Sequence, residues 1–301
     1  MPMRAGLCNT LLKVEPMKRQ DFRFSHRMRV RWVEVDMQKI VFNGHYLMYF
    51  DTAVTDYWRQ LAMPYAETMH QLGGDLFVKK ASLEYHASAE MDDFLQVCMR
   101  CDRIGNSSMT FAGAIFRGEE LLITSELVYV YADPVAKKSQ PIPTPLRDML
   151  AGFERGEDMV QLHVGSWHDF QKQASPLRTE VFVHEQKVPA ELEWDEADAT
   201  ALHAVALNRM GMCLATGRLI QHAPGVARIG RMAVKKQMRG SALGQRVLHA
   251  LIDAARHRGD TQVILHAQCS AEAFYQRSGF VPHGAVFEEA GIAHIEMVLT
   301  L

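Results

Sequence analysis

The apolar positions of the first half change period along the chain. RFSHRMRVRWVEV alternates apolar and polar residues as a strand does. From His45 to Leu61 the spacing becomes helical. Tyr46, Leu47, Phe50, Ala53, Val54, Tyr57, Trp58 and Leu61 recur on one side, with Asp51, Thr55, Asp56 and Arg59 between them. That aromatic stripe reads as a core-facing surface. After Gly73 and Gly74 come four strand-like runs, LFVKKASLEYHA, FLQVCMRCDRI, SMTFAGAIFR and LLITSELVYVYA, with Asn106 and Gly118 at turns. One long helix amid a meander of strands predicts an α+β domain, the helix lying on a single antiparallel sheet.

QPIPTP (residues 140–145) cannot continue a sheet, because proline lacks the donor. A short helix over residues 146–154 follows, and the polar ERGED (residues 154–158) marks a boundary. Beyond it strands and helices mix. MVQLHVGSW, ALHAVALN, CLATGRLIQ, ARIGRMAV, QVILHAQ and AHIEMVLTL are strand-like, whereas SPLRTEVFVHEQ, residues 242–258 and AEAFYQRSG are helical. The expected organisation is a leader over residues 1–21, an α+β domain over 22–155 and a mixed α/β domain over 159–301. The halves show no internal repeat.

Composition narrows the function classes. At 301 residues the chain is long enough for two cores. A net charge of −2 argues against a nucleic-acid partner, which normally meets a basic domain or stripe. No run reaches the roughly 20 apolar residues of a membrane span, so no membrane partner is expected. The first 21 residues carry no clear cleavage signal. Five cysteines, irregularly spaced, fit free thiols in a reducing cytoplasm. Cys98 and Cys101 form a CxxC on a strand-like run. Such motifs need a turn or helix start, so neither metal nor redox chemistry is expected there.

VRWVEVDMQKIVFNGHYLMYFDTA carries the first candidate site. Asp36 ends a strand-like run, and Asn43 falls where a long helix begins, with Tyr46 in its first turn. A helix N-terminus offers unpaired N–H groups and the positive end of a dipole. Those donors, the Asn43 amide included, can hold the oxyanion formed when a thioester carbonyl is attacked. Asp36 can activate water or attack directly, and the sequence leaves both routes open; the plain alternative is a carboxylate that caps the helix. The segment resembles the active-site stretch of the hydroxybenzoyl-CoA thioesterase-like hotdog family, over roughly residues 22–153. The resemblance implies a hotdog fold and makes Asp36 the catalytic acid. His45 is a weaker acid–base candidate. Where many relatives have glycine, three residues after the acid, this chain has Lys39, which puts acyl preference in doubt. Lys137 and Lys138 are candidate phosphate contacts or a solvated loop pair.

RMAVKKQMRGSALGQRVLHALIDAA carries the second site. Arg239, Gly240, Ser241, Ala242, Leu243 and Gly244 form a small-residue turn between a strand ending Met232, Ala233, Val234 and an amphipathic helix. Backbone N–H groups can close there around a diphosphate. The pattern resembles the acetyl-CoA-binding motif of the GNAT acetyltransferases. Ala242 replaces the usual first glycine, which is mild unless that position requires positive φ. AFYQRSGF resembles the family's second landmark and implies that Tyr275 protonates the departing CoA thiolate. Nearly all of residues 160–301 resembles a small bacterial GNAT subgroup, in which Glu185, His203, Arg218, His266 and His294 become candidate acceptor-side groups.

The resemblances together imply a bifunctional enzyme, hydrolysing acyl-CoA in the first domain and acetylating an unidentified small amine from acetyl-CoA in the second. Acyl-CoA and acetyl-CoA enter as substrates, with no permanently bound cofactor or metal. Hotdog relatives build their sites between paired subunits, so a homo-oligomer is expected. The alternative is a thioesterase regulated by a non-catalytic, acetyl-CoA-sensing second domain.

Overall fold

The computed structural model describes residues 17–301. Most of the expected leader, including Cys8, lies outside the described residues. The chain divides into two units by its internal contacts. One holds the chain through Tyr57 together with Leu76–Val130, and the other holds Trp58–Asp75 and Tyr131–Leu301.

The first unit begins with β1 (Phe24–Arg29). The strand is shorter than the alternation predicts. Glu34 accepts hydrogen bonds from the Arg31 backbone amide (2.7 Å) and guanidinium (2.8 and 2.5 Å), and this closes a single 3-10 turn over Trp32–Glu34. α1 (Asn43–Gln60) follows, and the chain then passes through α2 (Tyr65–Leu72), which belongs to the second unit, before it returns to the first. The sequence pattern does not announce α2, which Pro64 opens and Gly73 closes. Gly73, at φ 76°, turns its N–H onto the Met69 and His70 carbonyls. β2 (Asp75–Tyr85), β3 (Phe94–Ile104), β4 (Ser108–Arg117) and β5 (Glu120–Ala132) complete a five-stranded sheet in the order β1-β3-β4-β5-β2.

α1 buries Tyr46, Tyr49, Phe50, Ala53 and Tyr57, a spacing that puts them on one helical face. Tyr57 meets Phe24 and Phe111 edge-on, both at 5.4 Å. A Cβ on Gly113 would come within 2.5 Å of the Phe50 ring, so only glycine lets α1 lie this close to β4. Each such aromatic contributes about 1.5–3 kcal/mol by burial. Cys98 is buried on β3 with its thiol free, and Cys101 is half-buried three residues on; burial pushes the Cys98 thiol up to about 11.

The second unit continues through α3 (Thr144–Glu154), β6 (Val160–Ser166) and α4 (Trp167–Arg178), which runs into a π-helical stretch over Thr179–Glu185. A short α5 (Ala190–Glu193), β7 (Leu202–Asn208), β8 (Cys213–Ala223) and β9 (Val226–Val234) lead to α6 (Leu243–Arg258). β10 (Gln262–Gln268), α7 (Glu272–Gln276), β11 (Val281–Glu289) and β12 (Ile292–Thr300) end the chain. The sheet order is β11-β12-β10-β9-β8-β7-β6, in which β9 and β10 run parallel. α6 buries Leu243, Val247, Leu248, Leu251, Ile252 and Ala255. A Cβ on Gly217 of β8 would meet Leu251 at 2.8 Å, so glycine again sets the approach. Within this unit the Asn208 side chain donates to the Ala62 carbonyl (3.0 Å), and Lys235 pairs with Glu67 (2.6 Å) and Glu180 (2.7 Å). No helix among the described residues is long and apolar enough to cross a membrane.

Candidate functional sites

Asp36 sits on a tight reversal that leads into α1. Its N–H bonds the Ile40 carbonyl (2.9 Å), Val35 bridges Val41, and the Phe42 N–H bonds the Glu34 carbonyl (3.0 Å). The carboxylate and the helix start therefore share one short hairpin. Asp36 Oδ1 accepts the Gln38 N–H at 2.8 Å, and Oδ2 has no partner among the described residues. Asp36 caps its own turn and not α1. Lys39 has φ 65°, which explains why glycine suits that position: the reversal needs the left-handed conformation.

The first amides of α1 have no intrahelical acceptor, although the His45 N–H is taken by the Phe42 carbonyl (2.9 Å). Asn43 is exposed and His45 half-buried. Tyr46 is structural. Its hydroxyl accepts the Ala89 N–H at 2.9 Å. Beneath the turn, buried Glu34 accepts the Tyr49 hydroxyl at 2.9 Å. Burial pushes Glu34 up, but the bonds from Arg31 and Tyr49 outweigh it and hold the carboxyl below its usual range. This buried support under Asp36 was not anticipated from sequence. Lys137 and Lys138 are exposed, on a turn capped by Asp133.

In the second unit β9 and β10 pair from Val226–Gln262 to Ile229–Leu265 and then part. β9 bulges against β8: Gly230 faces Arg218, Ala233 faces Thr216, and Arg231 takes φ 51°. A cavity of about 920 Å³ opens there. Met232, Val234, Arg239 and Gly244 line it, as do Phe274 and Tyr275 of α7, and Val181, Phe182 and Glu185 of the π-helical stretch. Arg228, Arg231, Glu193, His266, Glu289 and His294 are its charged and imidazole side chains further along the wall. Ala233 instead packs in the core, with Leu177 and Val205, and Leu243 is buried.

Gly240, Ser241 and Ala242 form the exposed turn before α6. Gly240 has φ 85° and Ala242 φ 62°, so the alanine is strained by about 1–2 kcal/mol. The Arg246 N–H closes the first turn on the Ala242 carbonyl (3.0 Å) and the Ser241 N–H bonds the Met238 carbonyl (3.3 Å), which leaves the amides of residues 242–245 open to an anion. A Cβ on Gly244 would meet Val234 at 3.1 Å. Ser241 donates its hydroxyl to the Met238 carbonyl, 2.5 Å away. Arg239 forks onto Glu185 at 2.6 and 2.7 Å.

Burial pushes the Tyr275 hydroxyl up to about 12, so it is protonated at neutral pH, as a proton donor to a thiolate must be. Of the acceptor-side candidates, Glu185, His266 and His294 line the cavity; His203 and Arg218 belong to a buried network. There Arg178, 1% exposed, donates to Glu193 (2.5 Å) and Asp198 (2.8 and 3.1 Å). Its guanidinium lies 5.1 Å from the Trp167 ring and 4.7 Å from that of Trp194. Arg218 joins Asp195 and Asp198, and Arg231 joins Glu193 and Asp195.

These two architectures define an N-terminal hotdog thioesterase-type domain and a C-terminal acyl-CoA transferase-type domain. Family models agree: "Thioesterase superfamily" matches residues 38–124 and "Acetyltransferase (GNAT) domain" matches residues 168–301. The chain belongs, through its second domain, to the GNAT acetyltransferases. An uncharacterized N-acetyltransferase, YjcF, of Bacillus subtilis is 36% identical over 128 residues, 42% of this chain and 90% of that protein. ElaA of Escherichia coli is 32% identical over 125 residues, 40% of this chain and 81% of that protein. A solved acyl-CoA N-acyltransferase from Pseudomonas aeruginosa is 34% identical and covers 46% of this chain and 98% of its own, with a TM-score of 0.43.

Proposed function

We propose that the chain carries two CoA-thioester activities: hydrolysis of an acyl-CoA in the first domain and acetyl transfer to an amine in the second. One observation carries the transfer reading. The cavity between the parted strands is lined by Arg239 and Gly244, the two ends of the turn before and into α6, and by Tyr275. The open amides before α6 hold the diphosphate, and the free edge of β9 at Met232–Val234 takes the pantetheine arm. The amine nitrogen forms its bond to the thioester carbonyl carbon while the carbon–sulfur bond breaks. Tyr275 then gives its proton to sulfur. A hydroxyl placed in this cavity favours a transferase over a sensor, which would not need it.

In the first domain the α1 amides around Asn43 stabilise the oxyanion, and Asp36, with one carboxylate oxygen unpartnered, activates water or attacks the carbonyl. Phe42, Leu47 and Met48 around the start of α1, and Phe77, Val78 and Tyr85 on the edge strand β2, are exposed. Such a face supports pairing of two copies beside the site. Asp36→Asn is expected to keep the fold and remove most hydrolysis across a panel of acyl-CoA chain lengths, read by thiol release. Unchanged kcat on the best substrate would defeat the assignment. Light scattering at micromolar concentration is expected to report at least a dimer; a fully active monomer would contradict pairing.

A further inference from the structure

The charged groups around the transferase cavity are not equally engaged. Arg239 is forked onto Glu185. Arg231 donates to the Glu193 and Leu192 carbonyls and to Asp195, and pairs with Glu193. Glu193 is further held by Arg178. Two opposite charges remain. Arg228 has no carboxylate within 4.0 Å among the described residues; its Nη2 lies 2.9 Å from His266 Nδ1. Glu289 lies 3.1 Å from the same ring nitrogen and pairs with no arginine or lysine.

These two contacts exclude one another. A ring nitrogen accepts from a guanidinium only when it lacks a proton, and it donates to a carboxylate only when it has one. Whichever form His266 takes, either Arg228 or Glu289 is left with unused hydrogen-bonding capacity. Both stand on the cavity wall, close enough to share one imidazole nitrogen. The remaining neighbours do not resolve the conflict. Glu296 is 3.9 Å from His266 Nε2 and is engaged by His283 at 2.8 Å, and His294 Nδ1 lies 2.8 Å from the Ile292 carbonyl.

A ligand carrying an anion and a cation a few bonds apart satisfies both groups at once. We propose that the acetyl acceptor is a small amino carboxylate, its carboxylate forked on Arg228 and its ammonium set against Glu289 and His266. This rests on the transferase reading of the cavity and names its substrate class. A guanidinium matches a carboxylate with two parallel donors. Arg231 and Arg239 are already engaged by carboxylates, and the nearby Glu289 and Glu296 further disfavour a phosphate dianion at Arg228. A polyamine would bring a second positive charge against Arg228. Position along β9 agrees: Arg228 precedes the bulge at Gly230–Arg231, and the strand edge assigned to the pantetheine arm follows it. In the reaction the bound ammonium sheds two protons as its nitrogen bonds the acetyl carbon. One proton is released to solvent through the Glu289–His266 pair. The other replaces the proton that Tyr275 gives to the leaving sulfur, so the products are the amide, the thiol and one proton.

The test is calorimetry on the full chain with free CoA present, which neither site can turn over. The probes are a panel of α-, β- and γ-amino carboxylates, each paired with its primary amide. At least one carboxylate is expected to bind about tenfold or more tightly than its amide, the discrimination lost with a charge-assisted hydrogen bond. That preference should collapse toward unity in Arg228→Met. If melting shows Arg228→Met to be unfolded, Arg228→Lys serves, retaining only part of the preference, and Glu289→Gln should weaken binding of the same ligand. Equal binding of carboxylate and amide, or no binding by any member of the panel, would overturn the proposal. Mass spectrometry for the N-acetyl product with acetyl-CoA separates the two levels of the argument. Carboxylate-selective binding without product leaves the ligand class standing and removes the transferase reading.

Discussion

Arg178→Met removes the centre of the buried network while keeping an unbranched apolar stem. The wild-type guanidinium makes four hydrogen bonds, to the Glu193 side chain and carbonyl and to both oxygens of Asp198. Without it Glu193 keeps Arg231 at 3.2 Å and Asp198 keeps Arg218 at 2.8 Å, but three carboxylates then share two guanidiniums. One buried negative charge is left uncompensated, a loss of about 3–5 kcal/mol. For a domain of this size that corresponds to a Tm lower by roughly 6–20 °C, read by differential scanning calorimetry. The pH dependence sharpens the test. Burial raises Glu193 despite its arginine partners, so its stabilising contribution is full below its unfolded pKa and lost as pH rises through the folded value. Burial also pushes Asp198 up, but the bonds from Arg178 and Arg218 outweigh it and leave the carboxyl below its usual range. Its contribution is full above its unfolded pKa and lost as pH falls through the depressed folded value. On acidification the wild type therefore loses what Arg178 gives to Asp198, while the variant gains by protonating Glu193. The gap should narrow as pH falls through the ordinary carboxylate range and on below about pH 4. A gap under about 1 kcal/mol at neutral pH, or one that widens on acidification, would refute the reasoning.

Three further outcomes follow from the second site. Ala242→Gly relieves the left-handed alanine and should raise stability by about 0.5–1 kcal/mol net of glycine's greater unfolded-state entropy, read as a small rise in Tm. Glu185→Gln frees Arg239 and removes a carboxylate from the cavity wall. Acetyl-CoA should bind more tightly, but by no more than about fivefold, because the ion pair is half-exposed. Gly244→Glu places a bulky anion where Val234 already stands 3.1 Å from a Cβ, and calorimetry should find acetyl-CoA binding largely lost.

What could be read from the sequence follows the range of the interactions involved. α1, α6 and most strands announce themselves through local periodicity. The turn of Arg239 to Gly244 and Tyr275 on α7 are short patterns beside recognisable elements, and the structure gathers Met232, Val234, Arg239, Gly244 and Tyr275 on one cavity. Ala233 faces the core because alternation along β9 turns every second side chain away. α2 was missed because it has only 8 residues, too few for a clear period. The Arg178 network was invisible for a different reason. Its members Glu193, Asp198 and Arg231 come from α5, from the turn over Glu196–Ala199 and from β9, and each looks like an ordinary surface charge in the sequence. Arg218 and His203 enter as candidate acceptor groups only through the resemblance of residues 160–301 to a GNAT subgroup. The structure gives them another place: both are buried against Asp198. The same limit hid Arg228 and Glu289, which converge only through His266.

The central claim is that one chain holds two separable CoA-thioester sites, and the fate of a labelled acyl group tests it. The full chain is given a panel of carbonyl-labelled acyl-CoA thioesters, acetyl-CoA included, together with the amino carboxylate panel, and the label is separated into free acid and N-acyl product. The account predicts both products from wild type. Asp36→Asn should lose most of the free acid and keep the N-acetyl product. Tyr275→Phe should keep the free acid and lose about 10²–10⁴-fold in N-acetyl formation, while its affinity for acetyl-CoA hardly moves. Loss of both products in either variant, or of neither in both, would contradict two independent sites.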